Sequence, residues 1–145
     1  MKRSLVATAV FAALVLSGCA AVPTEAAAEA HLREQLDEVE QLVGGEWDSS
    51  ELGSRECQYN LTLRGVQAGE YRFTSEPVDG DEKYDLVLAS WTDLGYEPRE
   101  SEVGTGDPIR TLTATTPDGA ALTFSATDGS LTLEGLGACA SGTAD

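Results

Sequence analysis

Positive charge is scarce in this chain: 9 Lys and Arg stand against 25 Asp and Glu over 145 residues, a formal charge of −16. Phosphate contacts cannot hold nucleic acid to such a surface. Histidine is nearly missing, with His31 alone, and there are 3 cysteines, which is too few soft ligands for a Cys- or His-held metal. A Ser-His-Asp site would have to use His31, which sits among charged neighbours, and no Gly-x-Ser-x-Gly elbow accompanies it. Aromatic residues make up only 6%. That leaves little room for the sugar platform and the paired cleft carboxylates of a glycosidase. The apolar run from Ser4 to Leu16 falls short of the about 20 residues that span a bilayer. Asp79 to Glu82 lacks the acceptor spacing of a calcium loop and reads as helix capping, and Gly104-Thr105-Gly106 opens no helix that would hold a phosphate. What remains is 41% hydrophobic and 23% charged, the composition of one ordinary folded domain.

The N-terminus reads as a targeting segment. Lys2 and Arg3 supply a positive start, and the Ser4 to Leu16 run has the length of a secretory apolar core. Leu16-Ser17-Gly18-Cys19 follows and resembles the lipobox of bacterial lipoproteins. The resemblance implies a diacylglyceryl thioether on Cys19, cleavage before it, and residence on the outer face of the cytoplasmic membrane. The competing reading is an ordinary secretion signal cut after Gly18, with Cys19 incidental. An acidic domain is repelled by anionic lipid, so acyl chains must do the anchoring. With Cys19 assigned to lipid, Cys57 and Cys139 form the remaining pair, and an oxidising compartment predicts a disulfide between them.

Residues 1–18 are therefore expected to be a signal peptide, 19–24 a tether, 25–139 a single domain and 140–145 a flexible tail. Leu32, Leu36, Val39 and Val43 recur at helical spacing, with Thr24 as cap and Gly44-Gly45 as stop. Glu46 to Glu56 reads as a loop carrying Trp47, which either caps the core or meets a partner. Gln58 to Arg64 alternates as a strand, within which the glycosylation triplet Asn60-Leu61-Thr62 is ascribed to chance. Gly65 to Gly69 turns, and Tyr71 and Phe73 mark the inward side of a second strand. Tyr84, Val87, Leu88 and Trp91 predict a second helix from about Glu82 to Gly95, and Tyr96 to Val103 predicts an edge strand. Turn signals at Pro117-Asp118-Gly119 and Asp128-Gly129 then divide an antiparallel meander. The fold class is α+β: a two-layer sandwich with two helices on one face of an antiparallel sheet.

The acidic helix before Trp47, Cys57 at the first strand, Leu94-Gly95-Tyr96 and the hairpin running into Cys139 together resemble the LppA-like lipoproteins of actinobacteria. The resemblance implies a small surface domain with one disulfide and no cofactor or catalytic residues to carry over. The functional expectation is a non-catalytic envelope lipoprotein that binds a protein or polymer partner. The alternative is a small exported hydrolase or ligand-binding protein with a concealed site. The expected binding surface is the open sheet face, with Arg64, Arg72, Thr62, Thr74 and Thr113 among its polar side chains.

Overall fold

The computed structural model describes residues 22–58 and 63–142. The chain runs as α1 (Glu25–Val43), β1 (Asp48–Gln58), β2 (Arg64–Thr74), α2 (Gly80–Asp93), β3 (Arg99–Val103), β4 (Ile109–Thr115), β5 (Ala121–Thr127) and β6 (Ser130–Leu136). The strands form one antiparallel sheet in the order β1-β2-β6-β5-β4-β3, with both helices on one face. Among the described residues, no helix is long and apolar enough to cross a membrane.

Local signals place the helices. The Thr24 side chain accepts from the Ala27 amide at 3.3 Å, and Leu32, Leu36, Val39 and Val43 are all buried along one stripe of α1. Helix α2 starts at Gly80, earlier than the expected Glu82, because the Asp79 carboxylate caps it by accepting from the Glu82 amide at 2.9 Å. It ends where Gly95 N–H reaches the Thr92 carbonyl and Tyr96 N–H reaches that of Trp91, the double bond of a Schellman stop. Tyr84, Val87 and Trp91 pack with the α1 stripe onto Leu112, Leu122, Phe124, Leu131 and Leu133 of the meander. Each fully buried side chain of this kind contributes about 1.5–3 kcal/mol of transfer free energy.

The first hairpin departs from expectation. The segment read as a loop, Glu46 to Glu56, mostly belongs to β1, and the Gly65 to Gly69 segment read as a turn lies inside β2. Strand β1 is an edge strand whose residues from Asp48 to Glu56 are all exposed, so no apolar alternation announces it. Backbone pairing with β2 holds it, through a register shift between Glu51 and Gly53 where Gly53 takes φ 75°. At Gly69 a Cβ would stand 3.0 Å from Leu52 Cβ, so glycine permits the bulged strand to approach. Trp47 is half-buried against the core, its indole donating to the Gly44 carbonyl at 3.0 Å.

The parity of β2 is also inverted. Tyr71 and Phe73 point away from the helices, while Glu70, Arg72 and Thr74 are buried beneath α1. The cause is charge pairing across layers: Arg72 meets Asp37 at 2.6 Å, Glu40 at 3.0 Å and Glu70 at 2.7 Å, and Arg33 reaches Glu70 at 3.2 Å. A buried arginine is tolerated only when so paired.

The chain ends are joined more tightly than a tether and a tail starting at residue 140 would be. Ala140 is buried and exchanges both backbone hydrogen bonds with Val66, and the Ser141 amide donates to the Pro23 carbonyl at 3.0 Å. Ala138 to Ser141 therefore belongs to the folded body.

Candidate binding face

The uncovered face of the sheet carries two cross-strand rows that cross all six strands. One row is Ser101, Thr111, Ser125, Thr132, Phe73 and Asp48; the other is Arg99, Thr113, Thr123, Glu134, Tyr71 and Ser50. Strand spacing makes each row about 24 Å long. Thr111 and Ser125 share a hydroxyl hydrogen bond of 2.9 Å within the first row. The Tyr71 and Phe73 rings are stacked, centroids 6.1 Å apart and planes 28° apart, with Phe73 39% exposed. A shallow open groove of about 620 Å³ adjoins the far end of the second row, lined in part by Glu97, Arg99, Thr113, Thr115 and Thr123.

The expected face residues divide. Thr113 stands exposed on the open face. Arg72 and Thr74 do not: they are 5% and 3% exposed on the helix side, for the reason of charge pairing given above. Arg64 is exposed but shares the parity of Arg72 along β2, and it pairs with Glu56 at 3.6 Å. Thr62 and the triplet around it, like Cys19 and the whole lipobox, lie outside the described residues. Cys57 and Cys139 are bonded, with Cα atoms 5.9 Å apart, inside the range a disulfide requires.

Sequence reading missed Tyr71 and Phe73 on this face, and with them Arg55 and Arg99. Lys83, Arg33, Arg64, Arg72 and Arg110 all sit within ion-pair distance of a carboxylate of this chain. Arg55 and Arg99 make no ion pair among the described residues, and both lie on the open face, in register with Gln67 and Thr113. Counting charges along the sequence cannot separate a paired arginine from an unpaired one.

Other polar clusters hold the fold. The Tyr84 hydroxyl donates to Glu100 at 3.0 Å while Arg110 lies over its ring at 3.7 Å and pairs with Asp81 at 2.7 Å, joining α2 to β3 and β4. Burial first, then the hydrogen bond to Glu100, pushes the Tyr84 phenol up to about 12. His31 is exposed beside Glu34 and Asp118, at 3.4 and 3.6 Å. Among the described residues no group of three His, Cys, Asp or Glu is arranged to hold a metal.

Comparison with protein-family profiles, curated proteins and solved structures finds no match to this chain.

Proposed function

We propose that this chain is an exported lipoprotein, anchored through Cys19 at the outer face of the cytoplasmic membrane, whose domain is a non-catalytic binding module that uses the open sheet face. The lipobox resemblance and the Cys57–Cys139 disulfide support export. The observation that carries the binding reading is the placement of Arg55 and Arg99. Where the other described cations are held by carboxylates of this chain, two guanidinium groups with no ion pair among the described residues stand toward opposite edges of the same uncovered face. Unpaired arginines present planar donor forks to an incoming acceptor. A broad shallow face suits an extended partner better than a small substrate enclosed for reaction.

The test compares wild-type chain with an Arg55→Ser/Arg99→Ser variant, both solubilised from membranes, for crosslinking to envelope fractions. Reduced capture at unchanged melting temperature is expected. Equal capture by the two proteins would remove the face from consideration, and turnover of hydrolase probes would overturn the non-catalytic reading.

A further inference from the structure

Strand β2 inverts the usual distribution of its residues: Glu70 and Arg72 are buried on the helix side, while on the open face Phe73 is exposed and Tyr71 half-buried. Aromatics turned to the uncovered face and charge buried in one strand are the observations that ask for a reason beyond folding. The two rings form one platform, and in-register neighbours surround it: Asp48 and Thr132 flank Phe73, and Ser50 and Glu134 flank Tyr71.

From this arrangement we infer that the Tyr71–Phe73 platform binds a glycan of neutral or basic pyranose sugars. The inference rests on the open-face reading above and names its ligand class. The C–H face of a pyranose ring packs flat on an aromatic ring, whose π surface is negative and attracts the polarised hydrogens. Sugar hydroxyls then need polar partners at the platform margin. Asp48 and Glu134 are strong acceptors there, and the Ser50 and Thr132 hydroxyls both donate and accept. Charge selects within the sugars. The two carboxylates beside the rings repel uronates and phosphorylated polymers, while hydroxyl and amino groups satisfy them. Arg99 shares the Tyr71 row but stands four strands away, about 19 Å by strand spacing, and Arg55 pairs with Gln67 four positions along β2 from Tyr71, so both leave this selection in place.

A protein partner fits the platform less well. A stable protein interface covers about 800 Å² on each side and seals its anchors behind a rim that excludes water. Two rings bordered by carboxylates and hydroxyls supply neither the apolar area nor the seal. Aromatics are few in the sequence, but folding brings two of them into one stacked pair on the open face. Binding asks less of the site than hydrolysis does, since no carboxyl needs a raised pKa.

Calorimetric titration of the solubilised chain with neutral N-acetylglucosamine oligomers, basic glucosamine oligomers and acidic polyglucuronate provides the test. Binding of the neutral or the basic oligomers, with none to polyglucuronate, is expected. Tyr71→Ser and Phe73→Ser should each weaken it by about tenfold or more, the effect of truncating an anchoring ring. Tyr71→Phe keeps the ring and should keep most of the affinity, which separates stacking from the hydroxyl. Affinities are compared with every variant held well below its own melting temperature, since the half-buried Tyr71 also contributes to cross-strand packing. Absence of binding to every oligomer, preference for polyglucuronate, or affinity unchanged in both serine variants would overturn the proposal. The first and last of these leave the open-face reading standing if Arg55→Ser/Arg99→Ser still loses envelope capture.

Discussion

The Arg72 guanidinium donates to the Asp37 carboxylate at 2.6 Å across 35 positions of sequence, tying β2 to the helix above it. The same group donates to Glu70, which Arg33 also engages, so alternating charges run from the interior to the α1 surface. Arg72 keeps its proton beyond the ordinary arginine range: burial opposes this, and the hydrogen bonds to Asp37 and Glu70 outweigh it. Arg72→Ala leaves buried Glu70 with one cation fewer and is expected to cost about 3–5 kcal/mol. Replacing Arg72 and Glu70 together by Met and Leu should cost far less, because no buried charge is then stranded. Urea denaturation of the single and double variants measures both.

Removal of the disulfide makes a second test. The Cys57–Cys139 bond joins positions 82 apart, and the chain-entropy argument assigns such a loop about 4–5 kcal/mol. Cys57→Ser with Cys139→Ser should lower the urea midpoint and steepen the slope, because the unfolded chain released from the loop exposes more surface. Non-reducing peptide mapping of wild type should find no free thiol at either position.

Alkaline pH should reveal Tyr84. Its folded value of about 12 lies above the ordinary phenol value of about 10. The raised value favours the neutral form in the fold, so its contribution is complete below about pH 10 and is lost as pH rises through about 12. Tyr84→Phe should lower stability by about 1 kcal/mol near neutrality. It should also flatten the decline in that alkaline window, as read from denaturation midpoints against pH.

Lipidation is decided at Cys19. Cys19→Ala should leave an uncleaved precursor or release the protein from the membrane, and mass spectrometry of the wild-type N-terminus should find diacylglyceryl cysteine. An unmodified mature terminus elsewhere would return the segment to an ordinary secretion signal.

How far the residues announced their positions depended on what each one touches. Leu32, Leu36, Val39 and Val43 bury a continuous stripe, and Leu112, Leu122, Phe124 and Leu131 alternate over a covered face, so local period alone places them. Asp48 to Glu56 buries nothing, which leaves β1 without a pattern to read. In β2 the apolar alternation pointed the wrong way, because Asp37 and Glu40 lie on a helix far upstream and draw Arg72 inward. The candidate platform was concealed by the same fact: Tyr71 and Phe73 are outside because their polar neighbours are inside. The disulfide needed no geometry, only the expectation of an oxidising compartment and an even remainder of cysteines.

The closed corner at Pro23, Ser141 and the disulfide also decides how the domain carries load. Tension entering through Pro23 meets the Ser141 amide and then the end of the strand network beside Val66, rather than peeling a strand from the far edge. Even if those hydrogen bonds part, the span from Cys57 to Cys139 cannot pay out, and that withholds about 290 Å of extended chain. Five of the six strands lie wholly within that loop, including β2 with the Tyr71 and Phe73 rings. A domain pulled from its N-terminal side thus lengthens first through its first helix and outer strand, while β2 and the four strands that follow it stay inside a covalent hoop.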